Sequence, residues 1–243
     1  MDLIQVKHFQ KKFGSKVVHQ DVNFTVRKGE CLGLLGGSGA GKSVLLRSLI
    51  GLEKPDSGEV FFDGIKINGM TEDELVEPRK RMAYAFQGGA LFDSMNVFDN
   101  LAYPLREHTG LSEKEIKEKI TSQLKAFGLE GNGRVYPGNL SGGMQKRAGL
   151  ARAIILGPEV ILYDEPTAGL DPFNTFKIQD MILRLKKTGV TSILVTHDMP
   201  VAFKVCDRIA ILMEGKIKAI GTMAEIEQQE SNLIARFAQG EFL

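Results

Sequence analysis

Gly36-Gly37-Ser38-Gly39-Ala40-Gly41-Lys42-Ser43 decides how the rest of this sequence is read. The stretch fits G-x-x-x-x-G-K-[ST]. Before it stands a short apolar run, Cys31–Leu35, which reads as a buried strand; after it, Ser43–Ile50 reads as a helix. A phosphate needs several backbone N–H groups converging on it, and glycines let the chain curl inward with no Cβ in the way. The helix that begins near Lys42 adds the positive end of its dipole. Lys42 supplies a mobile charge for β- and γ-phosphates, and the Ser43 hydroxyl is placed for Mg²⁺. The stretch lacks G-x-G-x-x-G spacing, which argues against a dinucleotide fold.

Working outward, β-rich runs alternate with helical segments, the pattern of an α/β fold with a largely parallel sheet. Ile4–Phe9, Val22–Val26, Val60–Phe62 and Met82–Phe86 read as strands, as do Val160–Tyr163, Ser192–Thr196 and Ile209–Met213. Glu214-Gly215 marks a tight turn into Lys216–Ile220. Between the strands lies a helix-rich stretch, about residues 89–157. There Ser112-Glu113-Lys114-Glu115 is a capping box and Gly128 a stop signal. Leu111, Ile116, Ile120, Leu124 and Phe127 recur at helical spacing, so one face packs. Thr222-Met223-Ala224-Glu225 is a second capping box, expected to open a C-terminal helix.

Val160–Tyr163 runs into Asp164-Glu165. A parallel strand delivers its C-terminal residues to the ligand edge of the sheet, so Asp164 suits Mg²⁺ and Glu165 suits polarising a water. Ser192–Thr196 likewise leads to His197, within reach of a γ-phosphate. His8, His19 and His108 read as surface or satisfied core histidines. Ser141-Gly142-Gly143-Met144 opens another helix. Ser141 is a natural N-cap, and the two glycines bare backbone N–H groups at a positive helix end, a second anion site in one chain.

Composition bounds the partners. The 243 residues carry 31 Lys+Arg against 30 Asp+Glu, a net charge of +1. Such balance gives no general pull toward nucleic acid or anionic lipid. With 43% apolar residues the chain can bury a core without disulfides. Its two cysteines, Cys31 and Cys206, lie far apart in sequence and read as buried thiols in a reducing compartment. No apolar run reaches the length of a membrane span, and the first residues do not have a secretory pattern. The expectation is a protein kept in the cytosol and brought to a membrane by a partner.

Taken together, these residues carry a resemblance. The phosphate loop, Gln87, Leu140-Ser141-Gly142-Gly143-Met144, Asp164-Glu165, Ala168-Gly169-Leu170-Asp171 and His197 follow the order seen in ABC-transporter ATPase subunits. The resemblance spans essentially the whole chain, residues 1–243. It implies a P-loop NTPase fold: a RecA-like core with a mostly parallel sheet, an antiparallel β subdomain and an inserted α-helical subdomain at about 89–157. It further implies a head-to-tail dimer with two ATPs between the subunits, each between one phosphate loop and the other subunit's Ser141-Gly142-Gly143. The two anion sites of one chain would then serve different nucleotides. Phe13 would stack on adenine, Gln87 would touch Mg²⁺ and the water while reporting to the membrane partner, and Asp171 would couple the two sites. The sequence departs from the common pattern in two places: Met144 replaces glutamine, and Phe13 replaces tyrosine.

Phe86–His108 and the LSGGM segment resemble the subgroup that serves Mla-type phospholipid transport in Gram-negative envelopes. In that subgroup the region after Gln87 forms the groove for a permease's coupling helix. The resemblance implies an MlaE-like permease dimer, an MlaD-like MCE protein and a small MlaB-like STAS protein as partners, with the ATPase peripheral on the cytoplasmic face of the inner membrane. Any C-terminal handshake between subunits would be short, since the sequence ends at Glu241-Phe242-Leu243. Another importer ATPase, a soluble ABC ATPase of the iron–sulfur assembly kind, and a nucleotide-gated scaffold without turnover remain open alternatives.

Overall fold

The computed structural model describes residues 1–229; the final residues, including Glu241-Phe242-Leu243 and the handshake expected there, lie outside that range. Ten strands form a single sheet. In chain order they are β1 (Asp2–Phe13), β2 (Lys16–Arg27), β3 (Cys31–Leu35), β4 (Ser57–Phe62), β5 (Ile65–Lys66), β6 (Met82–Ala85), β7 (Val160–Asp164), β8 (Thr191–Thr196), β9 (Arg208–Met213) and β10 (Lys216–Gly221). Their lateral order is β5-β4-β1-β2-β10-β9-β3-β8-β7-β6.

The sheet has two characters. From β9 through β3, β8 and β7 to β6, every pairing is parallel. On the other side β2, β1, β4 and β5 pair antiparallel. The two halves meet where β10 lies beside β2 in the single register pair Lys216–Asp21. The hairpin from β9 to β10 turns through Glu214 and Gly215, at φ +49° and +71°. Two left-handed residues are what a tight type I′ turn needs.

Eight α-helices are described: α1 (Lys42–Leu49), α2 (Glu72–Arg81), α3 (Val97–His108), α4 (Glu113–Ala126), α5 (Gly142–Ala153), α6 (Pro172–Lys187), α7 (Met199–Val205) and α8 (Met223–Gln229). The capping box at Ser112 is formed: the hydroxyl accepts from Glu115 N, and Glu115 Oε2 accepts from Ser112 N at 2.8 Å. Gly128, at φ +63°, follows the end of that helix. The box at Thr222 is formed too, with Thr222 N donating to Glu225 Oε2 at 2.7 Å. A third, Thr71 with Glu74, opens α2 and went unread in the sequence.

Strand periodicity sorts the core into two faces. Leu32, Leu34, Leu162, Ile193 and Val195 pack with α1 on one face. Cys31, Tyr163 and Leu194 face the other, with residues of α5 and α6. Ile116, Ile120, Leu124 and Phe127 are buried there, as their spacing predicts.

Cys31 and Cys206 are free thiols, Cys31 buried and Cys206 partly buried, and their sulfurs lie 3.7 Å apart, an approach their distance in sequence does not announce. A Cβ on Gly33 would stand 3.0 Å from Cys206 Sγ, so that glycine leaves the sulfur its place against β3. One expectation needs correction. His19 is buried, but it is not a satisfied core histidine. Neither ring nitrogen has a hydrogen-bond partner, because the ring is wedged beside Gly41 and edge-on to Phe9.

Candidate nucleotide-binding site

The C-terminal ends of β3, β7 and β8 converge on one edge of the sheet, at a cleft of about 1180 Å³. Its wall includes the phosphate loop, Phe13, Gln87, Glu165 and His197. The loop's curl requires glycine at two places. Gly41 has φ +91°, and a Cβ there would stand 2.4 Å from Val18 Cγ1. On Gly36, a Cβ would stand 2.7 Å from Leu212 O. Just past Gly41 the chain enters α1, whose first turn carries Lys42 and Ser43.

Lys42 is buried, and its ammonium donates to Gly36 O at 2.7 Å and Gly37 O at 2.9 Å. Burial holds its pKa below the ordinary lysine value, against the opposing pull of Glu165 and Asp164. Glu165 Oε1 stands 3.7 Å from Nζ. The lysine thus folds back on the loop's own carbonyls, groups that a phosphate can replace as partner.

The next ring of contacts centres on β7. Ser43 Oγ donates to Asp164 Oδ1 at 2.7 Å, and Tyr84 OH donates to Asp164 Oδ2 at 2.7 Å. Burial and the carboxylate push the Tyr84 phenol well above its usual pKa, so it stays a donor. No group of three or more His, Cys, Asp and Glu able to hold a metal exists among the described residues. One hydroxyl and one carboxylate are instead the sparse oxygen set that suits Mg²⁺ arriving with phosphates.

Glu165 follows at φ +48°, a left-handed conformation that non-glycine residues adopt sparingly. Its N–H donates to Val195 O at 3.0 Å, which fixes the turn away from the sheet. The side chain then reaches His197, with Oε2 2.9 Å from Nδ1. Asp198 caps α7 by accepting from Val201 N, so the histidine sits at a junction fixed on both sides.

Phe13 stands half-exposed at the end of β1, at the rim of the cleft, with Lys11 Nζ 4.9 Å above its ring. The remaining sequence-predicted residues lie elsewhere. Ser141, Gly142, Gly143 and Asp171 are not part of the cleft wall. Ser141 caps α5, accepting from Met144 N, and both Ser141 and Gly142 are exposed. Asp171 caps α6. These two helix starts are tied together by residues unread in the sequence. Asn174 Nδ2 donates to Asp171 Oδ2 at 2.6 Å, and Arg147 Nη1 donates to Asn174 Oδ1 at 2.9 Å. A Cβ on Gly143 would stand 2.5 Å from the Asn174 side chain. Tyr84 was missed as well. Its only sequence signal is its place in a strand beside Asp164, which becomes informative once β6 is paired with β7.

Comparison with known families gives the same assignment. The pattern described as ABC transporter matches residues 19–168. The chain belongs to the ABC transporter family. Two curated relatives are each 41% identical to it. One is the intermembrane phospholipid transport system ATP-binding protein MlaF of Haemophilus influenzae, aligned over 99% of this chain and 91% of the relative. The other is the probable ribonucleotide transport ATP-binding protein mkl of Mycobacterium leprae, over 98% and 69%. Among solved structures, the dimeric post-hydrolysis state of the ATP-binding cassette MJ0796, bound to ADP and phosphate, superposes with a TM-score of 0.84. The two are 32% identical, over 90% of this chain and 98% of the other. The fold is therefore that of a P-loop NTPase cassette, and the chain is an ATP-binding subunit of an ABC transporter.

Proposed function

We propose that this chain hydrolyses ATP to energise a permease that moves phospholipid between membranes. The observation that carries the hydrolytic half is the convergence of Lys42, Ser43, Glu165 and His197 on one cleft, with Asp164, outside the lining itself, hydrogen-bonded to Ser43. Ser43 and Asp164 would hold the Mg²⁺, with Gln87 at the rim. The ion would neutralise charge on the phosphate oxygens. Glu165 holds the attacking water and draws on its proton. His197, hydrogen-bonded to Glu165, steadies the γ-phosphate side, and Lys42 exchanges Gly36 and Gly37 for phosphate oxygens. Positioning and electrostatics account for the rate, since the protein forms no bond to the nucleotide.

In this reading two copies pair head to tail. The placement of Ser141-Gly142-Gly143 away from the chain's own cleft supports it, because an exposed helix start with bare N–H groups suits a nucleotide held by another copy. Phe13 stacks on adenine, and Asp171, tied through Asn174 to Arg147, links the two sites.

The phospholipid cargo is supported by the match to MlaF along nearly the whole of both chains. Phe92 and Tyr103, half-exposed and edge to face at 5.5 Å, form part of an apolar surface after Gln87 suited to a permease's coupling helix. No described helix is long and apolar enough to cross a membrane. Moving a lipid of about 30 methylenes through water would cost roughly 24 kcal/mol at ~0.8 kcal/mol per methylene, so a conduit must come from partners. Those partners would be an MlaE-like permease, an MlaD-like MCE protein and an MlaB-like STAS protein, at the cytoplasmic face of the inner membrane. The name of the mycobacterial relative supports a second reading, a nucleotide cargo. The deciding experiment is to purify the complex from detergent-solubilised native membranes and extract its ligand. Phospholipid bound in stoichiometric amount, with ATPase activity stimulated by added phospholipid, supports the first reading. Bound ribonucleotide beyond that in the ATP sites, with no lipid, supports the second.

A further inference from the structure

Tyr84 and Ser43 hold the two oxygens of one carboxylate. Tyr84 OH donates to Asp164 Oδ2, and Ser43 Oγ donates to Asp164 Oδ1, each at 2.7 Å. The aspartate between them is buried. Ser43 and Asp164 are the pair given to Mg²⁺ above, but no step of the proposed reaction uses the phenol. Its place is set by the sheet. β6 pairs in parallel with β7, and Tyr84 stands level with Leu162. Alternate residues of a strand share a face, so Tyr84, Leu162 and Asp164 point to the same side. Asp164 lies one pleat further along, a diagonal gap that the length of a tyrosine spans.

The phenol has little freedom to let go. Its ring packs against the core on the α1 face, and Phe86 lies beside it with centroids 4.3 Å apart and planes tilted by 38°. A donor so placed does two things. It satisfies a buried acceptor, which any donor would do. It also occupies Oδ2, which leaves Oδ1 as the free side of the carboxylate, next to Ser43 and the cleft that Ser43 lines. Held in this way, Asp164 can offer one oxygen, and not two, to an ion or to a water on it. That restriction discriminates between divalent cations. Mg²⁺ demands near-octahedral geometry and keeps several waters, whereas Ca²⁺ is larger, takes more oxygens in flexible geometry and accepts both oxygens of one carboxylate.

We infer that Tyr84 is a positioning residue that fixes Asp164 as a one-oxygen ligand and thereby selects Mg²⁺ over Ca²⁺ at the nucleotide site. Tyr84 acts through the carboxylate and not by touching nucleotide or ion. The inference rests on the ATPase reading above, which gives Ser43 and Asp164 to the metal.

The test uses the complex purified from native membranes and compares the parent with Tyr84→Phe, which keeps the ring and removes the hydroxyl alone. Affinity for a fluorescent, non-hydrolysable ATP analogue is measured in EDTA, in Mg²⁺ and in Ca²⁺. In EDTA the variant should match the parent within twofold, because the phosphate loop is untouched. In Mg²⁺ its affinity should fall severalfold, while in Ca²⁺ it should hold or tighten. The preference for Mg²⁺ over Ca²⁺ should thus drop about tenfold, the scale of a lost partner behind a metal ligand. The melting temperature should stay near that of the parent. Should Tyr84→Phe fail to fold, Tyr84→Met, which also lacks the hydroxyl, decides by the same ratio. A preference for Mg²⁺ equal to the parent's, or above it, would overturn the inference. So would equal losses in EDTA, Mg²⁺ and Ca²⁺ with a lowered melting temperature, the mark of a packing role only. A parent with no preference for Mg²⁺ overturns the inference and leaves the ATPase reading standing. A parent that binds the analogue in none of the three conditions overturns the nucleotide reading itself, and the inference with it.

Discussion

Ser43 and Asp164, 121 residues apart in the chain, are joined by a hydrogen bond of 2.7 Å from Ser43 Oγ to Asp164 Oδ1. Tyr84 occupies the other carboxylate oxygen, so the aspartate is fully engaged. In the proposed reading, the Ser43–Asp164 bond would be given up when Mg-nucleotide arrives, because both oxygens would turn to the ion. Ser43→Ala should therefore leave nucleotide affinity without Mg²⁺ nearly unchanged. The Mg²⁺ needed for half-maximal ATPase should rise about tenfold, the equivalent of about 1.4 kcal/mol. A Mg²⁺ titration of phosphate release checks it.

In the proposed reading Glu165 and His197 act as a pair; Oε2 and Nδ1 stand 2.9 Å apart. Glu165→Gln should bind ATP as the parent does while turnover falls at least a hundredfold, about 2.7 kcal/mol in barrier. His197→Ala should show a loss of similar order. The double variant should be little worse than either single one, since residues acting as a unit are not additive. Steady-state ATPase of the three variants measures this directly.

In the same reading Lys42 contributes to binding rather than to turnover alone. Its buried ammonium is held by two loop carbonyls. Lys42→Ala removes both the charge for the phosphates and the tether that shapes the loop. Nucleotide affinity should fall tenfold or more in equilibrium binding, with any residual turnover saturating only at raised ATP.

His19 sets a pH dependence of stability. Burial lowers its pKa from 6.5 to about 4. Between those values the unfolded chain takes up a proton that the folded chain refuses, so folding stability falls as pH drops from about 6.5 toward 4. The full effect is on the order of 3 kcal/mol at ~1.36 kcal/mol per unit. His19→Leu should flatten that slope in urea melts taken across the window, while leaving stability above pH 7 equal or higher. A parent and variant with parallel slopes would contradict it.

How much of this the residues announce differs from part to part. The parallel core was readable because a buried strand and a glycine-rich turn are short-range signals: Cys31–Leu35 was placed to the residue. Met82–Phe86 ran one residue too far, since Phe86 is exposed and begins the loop that carries Gln87. The carboxylates and His197 were readable because strand ends must face the ligand edge. Tyr84, Arg147 and Asn174 were not, because each matters only through a partner on another element that periodicity does not reveal. The same holds for the 3.7 Å approach of Cys31 and Cys206, which depends on where α7 returns to β3. His19 looked like ordinary core filling, and only its packing beside Gly41 shows both nitrogens left without partners.

In the proposed reading ATP is held between two copies, with Ser141 of one facing the phosphate loop of the other. The most direct measurement is sedimentation of purified Glu165→Gln with Mg-ATP, with and without Ser141→Arg. Glu165→Gln should sediment as a dimer carrying one ATP per chain, and the double variant as monomers even though its own phosphate loop still binds ATP. A double variant that dimerises as tightly as Glu165→Gln, with the same ATP content, would contradict it.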